Sequence, residues 1–237
     1  MSKERLDKLV SSAAMLSRND AKDAIRGGRV TVGGNVIYDP SVKFDADKDV
    51  IEVDGITVTF KKHVYYMLNK PAGVLSASTD KTRQTVVDII AEETKRRGLF
   101  PVGRLDRDTT GLLIVTDDGD YGHRVIHPKS FIEKEYIVLL DKPLSDRDIE
   151  SLEKGAVLAD GTVCRPARVT PENGDRMTVS VIITEGKYHE IKRMLGTVGA
   201  GVENLRRIRI GKLMLDSGLK PGDYREMTPE ECALALK

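Results

Sequence analysis

Phe100-Pro101-Val102-Gly103-Arg104-Leu105-Asp106-Arg107-Asp108-Thr109-Thr110-Gly111, followed by Leu112-Leu113-Ile114-Val115-Thr116, reads as a strand entering a tight polar loop and a buried strand leaving it. Gly103 and Gly111 bracket the loop, and glycine accepts backbone angles that other residues avoid. The apolar run 112–115 suits a strand covered on both faces. Asp106 sits between Arg104 and Arg107, with Leu105 as an apolar anchor. Two readings follow. Asp106 closes a turn, as Asp often does, or it is a carboxylate held beside guanidinium groups to act as a nucleophile or base. Spacing alone leaves both open.

The rest of the 237 residues bounds the answer. The chain is 40% hydrophobic and 32% charged, the mark of a globular protein with a charged surface. It has no apolar run of about 18 residues, so no membrane span is expected. Residues 1–10 carry five charges and no apolar signal core, which leaves the cytoplasm as the expected location. Cys164 and Cys232 lack pairing or ligand spacing, and the four histidines are scattered; neither disulfide nor metal is expected. Net charge is +1, but its distribution is uneven. Basic residues outnumber acids seven to four in 1–36 and seven to three in 185–212, whereas 37–60 holds six acids against two bases. Two basic segments could therefore meet a polyanion.

In order, residues 1–60 read as a small α+β unit. Leu6, Leu9 and Val10 mark one helix, and Ser17 with Asp20 caps a second. Strands with tight turns at Gly33-Gly34-Asn35 and Asp54-Gly55 follow. Arg5, Lys8, Arg18, Lys22, Arg26 and Arg29 lie on or beside these helices as candidate phosphate contacts, or as ordinary solvated charge. A linker is expected over 57–64. Beyond it come a strand ending at Asn69-Lys70-Pro71-Ala72-Gly73, a polar loop 76–83 and a helix capped by Thr85. A helix begins after Asp117-Asp118-Gly119, a strand covers 133–140, and Ser145 with Asp148 caps another helix. Strands are expected at 163–170, 177–184 and 205–210, with a helix opening at Glu185 and a last one at Thr228-Pro229. Lys134 and Tyr136, two apart on a strand, share a face. Ile191, Met194, Leu195 and Val198 form an apolar stripe, and His189, Lys192 and Arg193 form a basic row beside it.

Gly103-Arg104-Leu105-Asp106, with Thr109-Thr110-Gly111-Leu112-Leu113 and Thr116-Asp117-Asp118-Gly119, resembles the catalytic motif of the RsuA/RluB/RluE/RluF family of pseudouridine synthases. Asn69-Lys70-Pro71-x-Gly73 and Gly186-Lys187-Tyr188-His189-Glu190-Ile191-Lys192-Arg193-Met194 match further family elements, although many relatives have Gln where Glu190 stands. Ser17-Arg18-Asn19-Asp20-Ala21 and Gly28-Arg29-Val30-Thr31-Val32-Gly33-Gly34 resemble the S4 RNA-binding domain. The resemblance implies an α+β chain. A small S4-like domain (1–60) would precede a catalytic domain (61–237) built on a mixed, mostly antiparallel β-sheet with flanking helices.

It also implies roles. Asp106 would be the catalytic carboxylate, Tyr136 the ring stacked on the target base, and Lys192, with Arg193 second, the cation paired with Asp106. Leu195 would pack at the base pocket. Arg104, Lys134, Asn69 and Lys70 would bind substrate, and Arg206 and Arg207 would contact phosphates or brace the sheet. Uridine isomerisation breaks C1′–N1 and joins C1′ to C5, and implies no cofactor or metal. The target base must leave its stack. The expected partner is ribosomal RNA or a partly assembled small ribosomal subunit, with 16S favoured over 23S, and the chain is expected to be a monomer. Two other readings are a non-catalytic RNA-binding assembly factor, and a glycosidase using Asp106 and Asp108.

Overall fold

The computed structural model describes residues 3–14, 16–45, 48–58, 61–94 and 96–237. They pack as two compact units, Met1–Val64 with Glu93–Arg97, and Tyr65–Glu92 with Gly98–Lys237.

The first unit runs β1 (Glu4–Arg5), α1 (Leu6–Ala13), α2 (Arg18–Arg26), β2 (Val30–Val32), β3 (Asn35–Val36), β4 (Lys43–Phe44), β5 (Ile51–Val53) and β6 (Ile56–Val58). Leu6, Leu9 and Val10 of α1 pack with Ala21, Ala24 and Ile25 of α2 over Val30, Val32, Ile51 and Val53. The spacing of the helical residues produces one apolar face per helix, and the strands supply alternate positions. Ser17 and Asp20 form a capping box on α2. β6 occupies part of the expected linker, whose Thr59 and Phe60 lie outside the described residues.

Most of the basic residues expected on this unit's surface have acidic partners. Asp7 is 1% exposed and accepts hydrogen bonds from Arg5 (3.1 and 3.0 Å) and Arg18 (3.1 Å). Lys8 pairs with Glu4 at 2.9 Å, and Arg29 Nε donates to Asp54 at 2.7 Å. Lys22 is half-buried and Arg26 exposed.

The second unit runs β7 (Tyr65–Lys70), α3 (Val86–Thr94), β8 (Phe100–Pro101), β9 (Thr110–Thr116), α4 (Gly119–Ile126), β10 (Lys134–Leu140), α5 (Asp146–Glu153), β11 (Arg168–Glu172), β12 (Asp175–Ile183), α6 (Glu190–Thr197), β13 (Val202–Ile210), β14 (Leu213–Met214), β15 (Tyr224–Glu226) and α7 (Pro229–Leu234). Its sheet has the order β11-β12-β10-β13-β9-β7-β15, with β14 beside β13 and β8 beside β9. Every pairing is antiparallel except β13 with β9. The chain is thus α+β, with a mixed, mostly antiparallel sheet and flanking helices.

Two elements differ from expectation. The segment 163–167 is not a sheet strand: the amides of Cys164 and Ala167 donate to Ala156 and Leu152, turning it onto the end of α5. The helix expected from Glu185 starts only at Glu190, because His189 adopts the left-handed conformation with φ 49°.

The parallel pair sets the position of the 102–109 loop. Gly111 sits opposite Arg207 with φ 99°. A Cβ there would lie 2.2 Å from the Arg207 carbonyl oxygen, so both conformation and contact demand glycine. Gly111→Ala should destabilise the protein by about 3 kcal/mol. A thermal melt should show this as a Tm roughly 6–12 °C lower.

The two arginines hold the Asp7 carboxyl at about 2, below its usual range, with the Arg5 hydrogen bond the largest cause. A depressed folded-state value stabilises the fold above the unfolded value, near 4, and the contribution disappears as pH falls through 2. Asp7→Asn should cost about 2 kcal/mol at most at neutral pH, since both arginines reach solvent. Denaturant titrations at pH 7 and pH 2 should show the difference between wild type and variant shrinking in acid.

Candidate active site

The loop carrying Asp106 is clamped from three sides. Leu105 is buried, its amide donates to Ser76 Oγ at 3.1 Å, and Ser76 Oγ donates back to its carbonyl at 2.8 Å. Gly73 donates to the Arg107 carbonyl at 2.8 Å. Lys70 is fully buried, and its ammonium donates to the carbonyls of Pro71 (3.0 Å), Arg107 (3.3 Å) and Thr109 (2.9 Å). Three donors meet three acceptors, so the buried cation is fully satisfied. Burial pulls Lys70 down to about 8, against the opposing pull of Asp108 and Asp106.

Asp106 lies in a cleft of about 410 Å³, open mouth included, with Tyr136, His189, Lys192 and Leu205 among its lining residues. One carboxylate oxygen is 3.5 Å from His189 Nε2 and the other 3.5 Å from Lys192 Nζ. The shorter Lys192 contacts go to Asp108, at 2.6 and 2.8 Å, and they hold the Asp108 carboxyl below its usual range. Lys192 therefore bridges two carboxylates of the loop rather than serving Asp106 alone. The arginines flanking Asp106 in sequence, Arg104 and Arg107, are exposed, with Arg104 at the cleft.

Tyr136 is 7% exposed on the cleft wall. It faces Arg207 across the β10–β13 pair. Arg207 Nη1 donates to the Tyr136 hydroxyl at 3.4 Å, and Nε donates to the Leu112 carbonyl at 2.7 Å.

Several expected site residues sit elsewhere. Leu195 is 1% exposed and faces Leu152, Val169 and Val181 in the interior, because the apolar stripe of α6 reaches the cleft only at Ile191. The aliphatic lining comes from Leu105, Ile183, Ile191 and Leu205. Leu205 pairs with Val138 as Arg207 pairs with Tyr136, and cross-strand partners share a face. Alternation in β13 marks Leu205 as inward-facing, but only the register shows what it faces. Asn69 is buried and donates to the Leu219 carbonyl at 2.8 Å, so it locks a turn and does not reach the cleft. Lys134 is buried, donates to the Ile132 carbonyl, and falls to about 8, chiefly through burial. Arg193 pairs with Asp160 at 2.5 Å. Arg207 is 3% exposed, too enclosed to grip a phosphate, and braces the sheet; Arg206 beside it is exposed.

Cys164, Glu185 and Glu190, all buried, bring their donor atoms within 4.8 Å of one another. Sequence reasoning missed this group, because Cys164 lies on a different segment from the two glutamates. Lys187 Nζ lies 2.5 Å from Glu185 and Arg165 Nε lies 3.9 Å away. Protein cations thus already sit against the Glu185 carboxylate.

None of the described helices is long and apolar enough to cross a membrane. The model of the RNA pseudouridylate synthase family matches residues 64–197, and that of the S4 domain matches residues 4–51. The Bacillus subtilis protein described as an uncharacterized RNA pseudouridine synthase, YtzG, is 40% identical over 232 residues, covering 97% of each chain. The ribosomal small subunit pseudouridine synthase A of Escherichia coli K12 is 39% identical over 235 residues, 97% of this chain and 98% of that one. A crystal structure described as a pseudouridylate synthase superposes with a TM-score of 0.67 at 34% identity, covering 98% and 99% of the two chains. The chain therefore belongs to the RNA pseudouridylate synthase family and carries an S4 domain at its N-terminal end.

Proposed function

We propose that this enzyme converts a single uridine of small-subunit, 16S ribosomal RNA to pseudouridine, with Asp106 as the catalytic carboxylate. The observation that carries the reading is a clamped carboxylate facing two basic side chains, in a cleft walled by a tyrosine and aliphatic residues. The near full-length similarity to the Escherichia coli small-subunit enzyme supports the choice of RNA.

The target base leaves its stack and enters the cleft, at a cost of a few kcal/mol that is lowest in a loop or bulge. Tyr136 stacks on the uracil, and Leu205 and Ile183 pack against its edge. Asp106 forms a transient bond to the nucleotide as the C1′–N1 bond breaks, the uracil turns, C5 joins C1′, N1 takes up a proton, and the bond to Asp106 breaks again. The C5 proton is lost, with the Tyr136 hydroxyl placed to assist. Lys192 and His189 orient Asp106 and offset its charge. Arg104 contacts the backbone at the cleft mouth. In the S4 domain, Lys22 and Arg26 grip phosphates, together with the outer faces of Arg5 and Arg18. Lys70 positions the loop.

Tritium release from C5-labelled uridine tests the reading, using small-subunit RNA both naked and partly assembled, beside a large-subunit transcript. Release from the small-subunit substrate is expected. Release confined to the large-subunit transcript would overturn the RNA assignment and keep the chemistry. Asp106→Asn should lower turnover by about 10³-fold or more while leaving RNA affinity within a few-fold. Lys192→Met should lower turnover by about 10²-fold, whereas Asp108→Asn should cost less than about tenfold, since Lys192 can then turn fully to Asp106. Equal losses in the two variants would show that the Lys192–Asp108 pair acts as one unit.

A further inference from the structure

The group beside the cleft at the start of α6 leaves one polar atom unexplained. Glu190 is 4% exposed and lines the same cleft as Asp106 and Tyr136. Its Oε2 accepts the Lys187 amide at 2.8 Å. Its Oε1 is buried without a partner among the described residues. A bare carboxylate oxygen in that position is costly. The nearest carboxyl is that of Glu185, 8% exposed, and two adjacent buried carboxylates do not both ionise readily.

The surroundings decide which of the two holds a proton. Glu185 accepts the Arg165 amide at 2.8 Å, touches the Lys187 ammonium, and has the Arg165 guanidinium 3.9 Å away. Those contacts suit an anion. Glu190 has a single amide donor on one oxygen and, among the described residues, no cation at ion-pair distance. Cys164, buried, lies beside it, the Lys187 and Lys134 ammoniums act on it from the turn and from β10, and Asp106, His189 and Lys192 share its cleft. We infer that Glu190 works as a neutral carboxylic acid that donates its proton to Glu185, and that this bond is the positioning device holding the 185–190 segment, and with it His189 and Lys192, against the Asp106 loop.

The connection to the site is short. Glu190 opens α6, His189 is the residue before it, and Lys192 lies two residues on. His189 sits at φ 49°, a conformation that non-glycine residues keep only when their surroundings hold them there. The hydrogen bonds from Glu190 to Glu185 and from the Lys187 amide to Glu190 close the turn that imposes it. Loss of the proton leaves two facing carboxylates and pushes the turn apart. Burial and the shared proton push Glu190 up to about 7, and the Glu190, Lys187 and Arg165 hydrogen bonds hold Glu185 below its usual range despite burial.

This inference rests on the proposed isomerase reading for its effect on rate, but the protonation itself can be read without turnover. The experiment compares wild type with Glu190→Gln, which keeps the shape and the donor but cannot ionise. Single-turnover tritium release from small-subunit RNA should fall about tenfold per pH unit above about 7 in wild type. In Glu190→Gln the fall should move to about 8 or beyond, where Lys70 and Lys134 titrate, with KM unchanged. An unshifted fall, or a folded Gln variant inactive at every pH, would overturn the inference.

Carbon NMR of side-chain carboxyl-labelled glutamate gives the second readout. Wild type should show one carboxyl titrating near neutrality, absent from Glu190→Gln. If every glutamate titrates in the ordinary acid range, the shared proton does not exist. If the near-neutral carboxyl is present but no RNA releases tritium, the protonation stands and the isomerase reading fails.

Discussion

A buried ammonium group holds the Asp106 loop of this protein in place. Lys70 ends β7 at 0% exposure and directs its three donors at the carbonyls of Pro71, Arg107 and Thr109. Burying a lysine is costly unless every donor is met and opposite charge lies near. Both conditions hold here, because the loop that Lys70 gathers also carries Asp106 and Asp108. The carboxylates help keep the lysine charged, and the lysine keeps their backbone fixed. Ser76 on Leu105 and Gly73 on Arg107 complete the clamp.

The single parallel junction of the sheet gives that clamp its direction. β9 leaves the loop at Gly111, in contact with the backbone of β13 at Arg207, so the loop opens onto the side of the sheet where Tyr136 and Leu205 project. Arg207 ties three central strands together: it belongs to β13, donates to the Leu112 carbonyl on β9, and reaches the Tyr136 hydroxyl on β10. Helix α6 then approaches from the other side of the cleft and presents Lys192 and His189 to the carboxylates. A rigid carboxylate, an aromatic wall and a basic helix start thus come from three separate segments. Preorganisation of this kind lets charged groups act without rearranging during the reaction.

Local signals carried much of the secondary structure. Ser17 with Asp20, Ser145 with Asp148 and Thr228 with Glu231 each form the capping box that their spacing suggests. The run 112–115 is fully buried within β9, as a strand covered on both faces should be. Lys134 and Tyr136 do face the same way, both inward. The loop around Asp106 was recognisable because glycines at fixed positions and a polar run between apolar ones depend only on neighbours in the chain. The 185–190 segment misled because its helical periodicity continues into a turn that Glu185, Lys187 and Glu190 hold open.

The sequence by itself determined the capped helix starts and the central buried strand, since each rests on short-range spacing; it singled out Asp106 only through resemblance to a family motif, because spacing left a turn residue and a catalytic carboxylate both open. Only the tertiary structure decided what the long polar side chains do. Lys70, Asn69 and Arg207 look like surface or ligand groups in a string of letters, yet all three are buried on carbonyls 39, 150 and 95 residues away. Leu195 and Leu205 are indistinguishable as apolar residues until the packing of α6 and the register of β13 send one to the interior and the other to the cleft. A lysine, an asparagine or an arginine is buried where distant backbone accepts from it, and that meeting is a property of the closed fold.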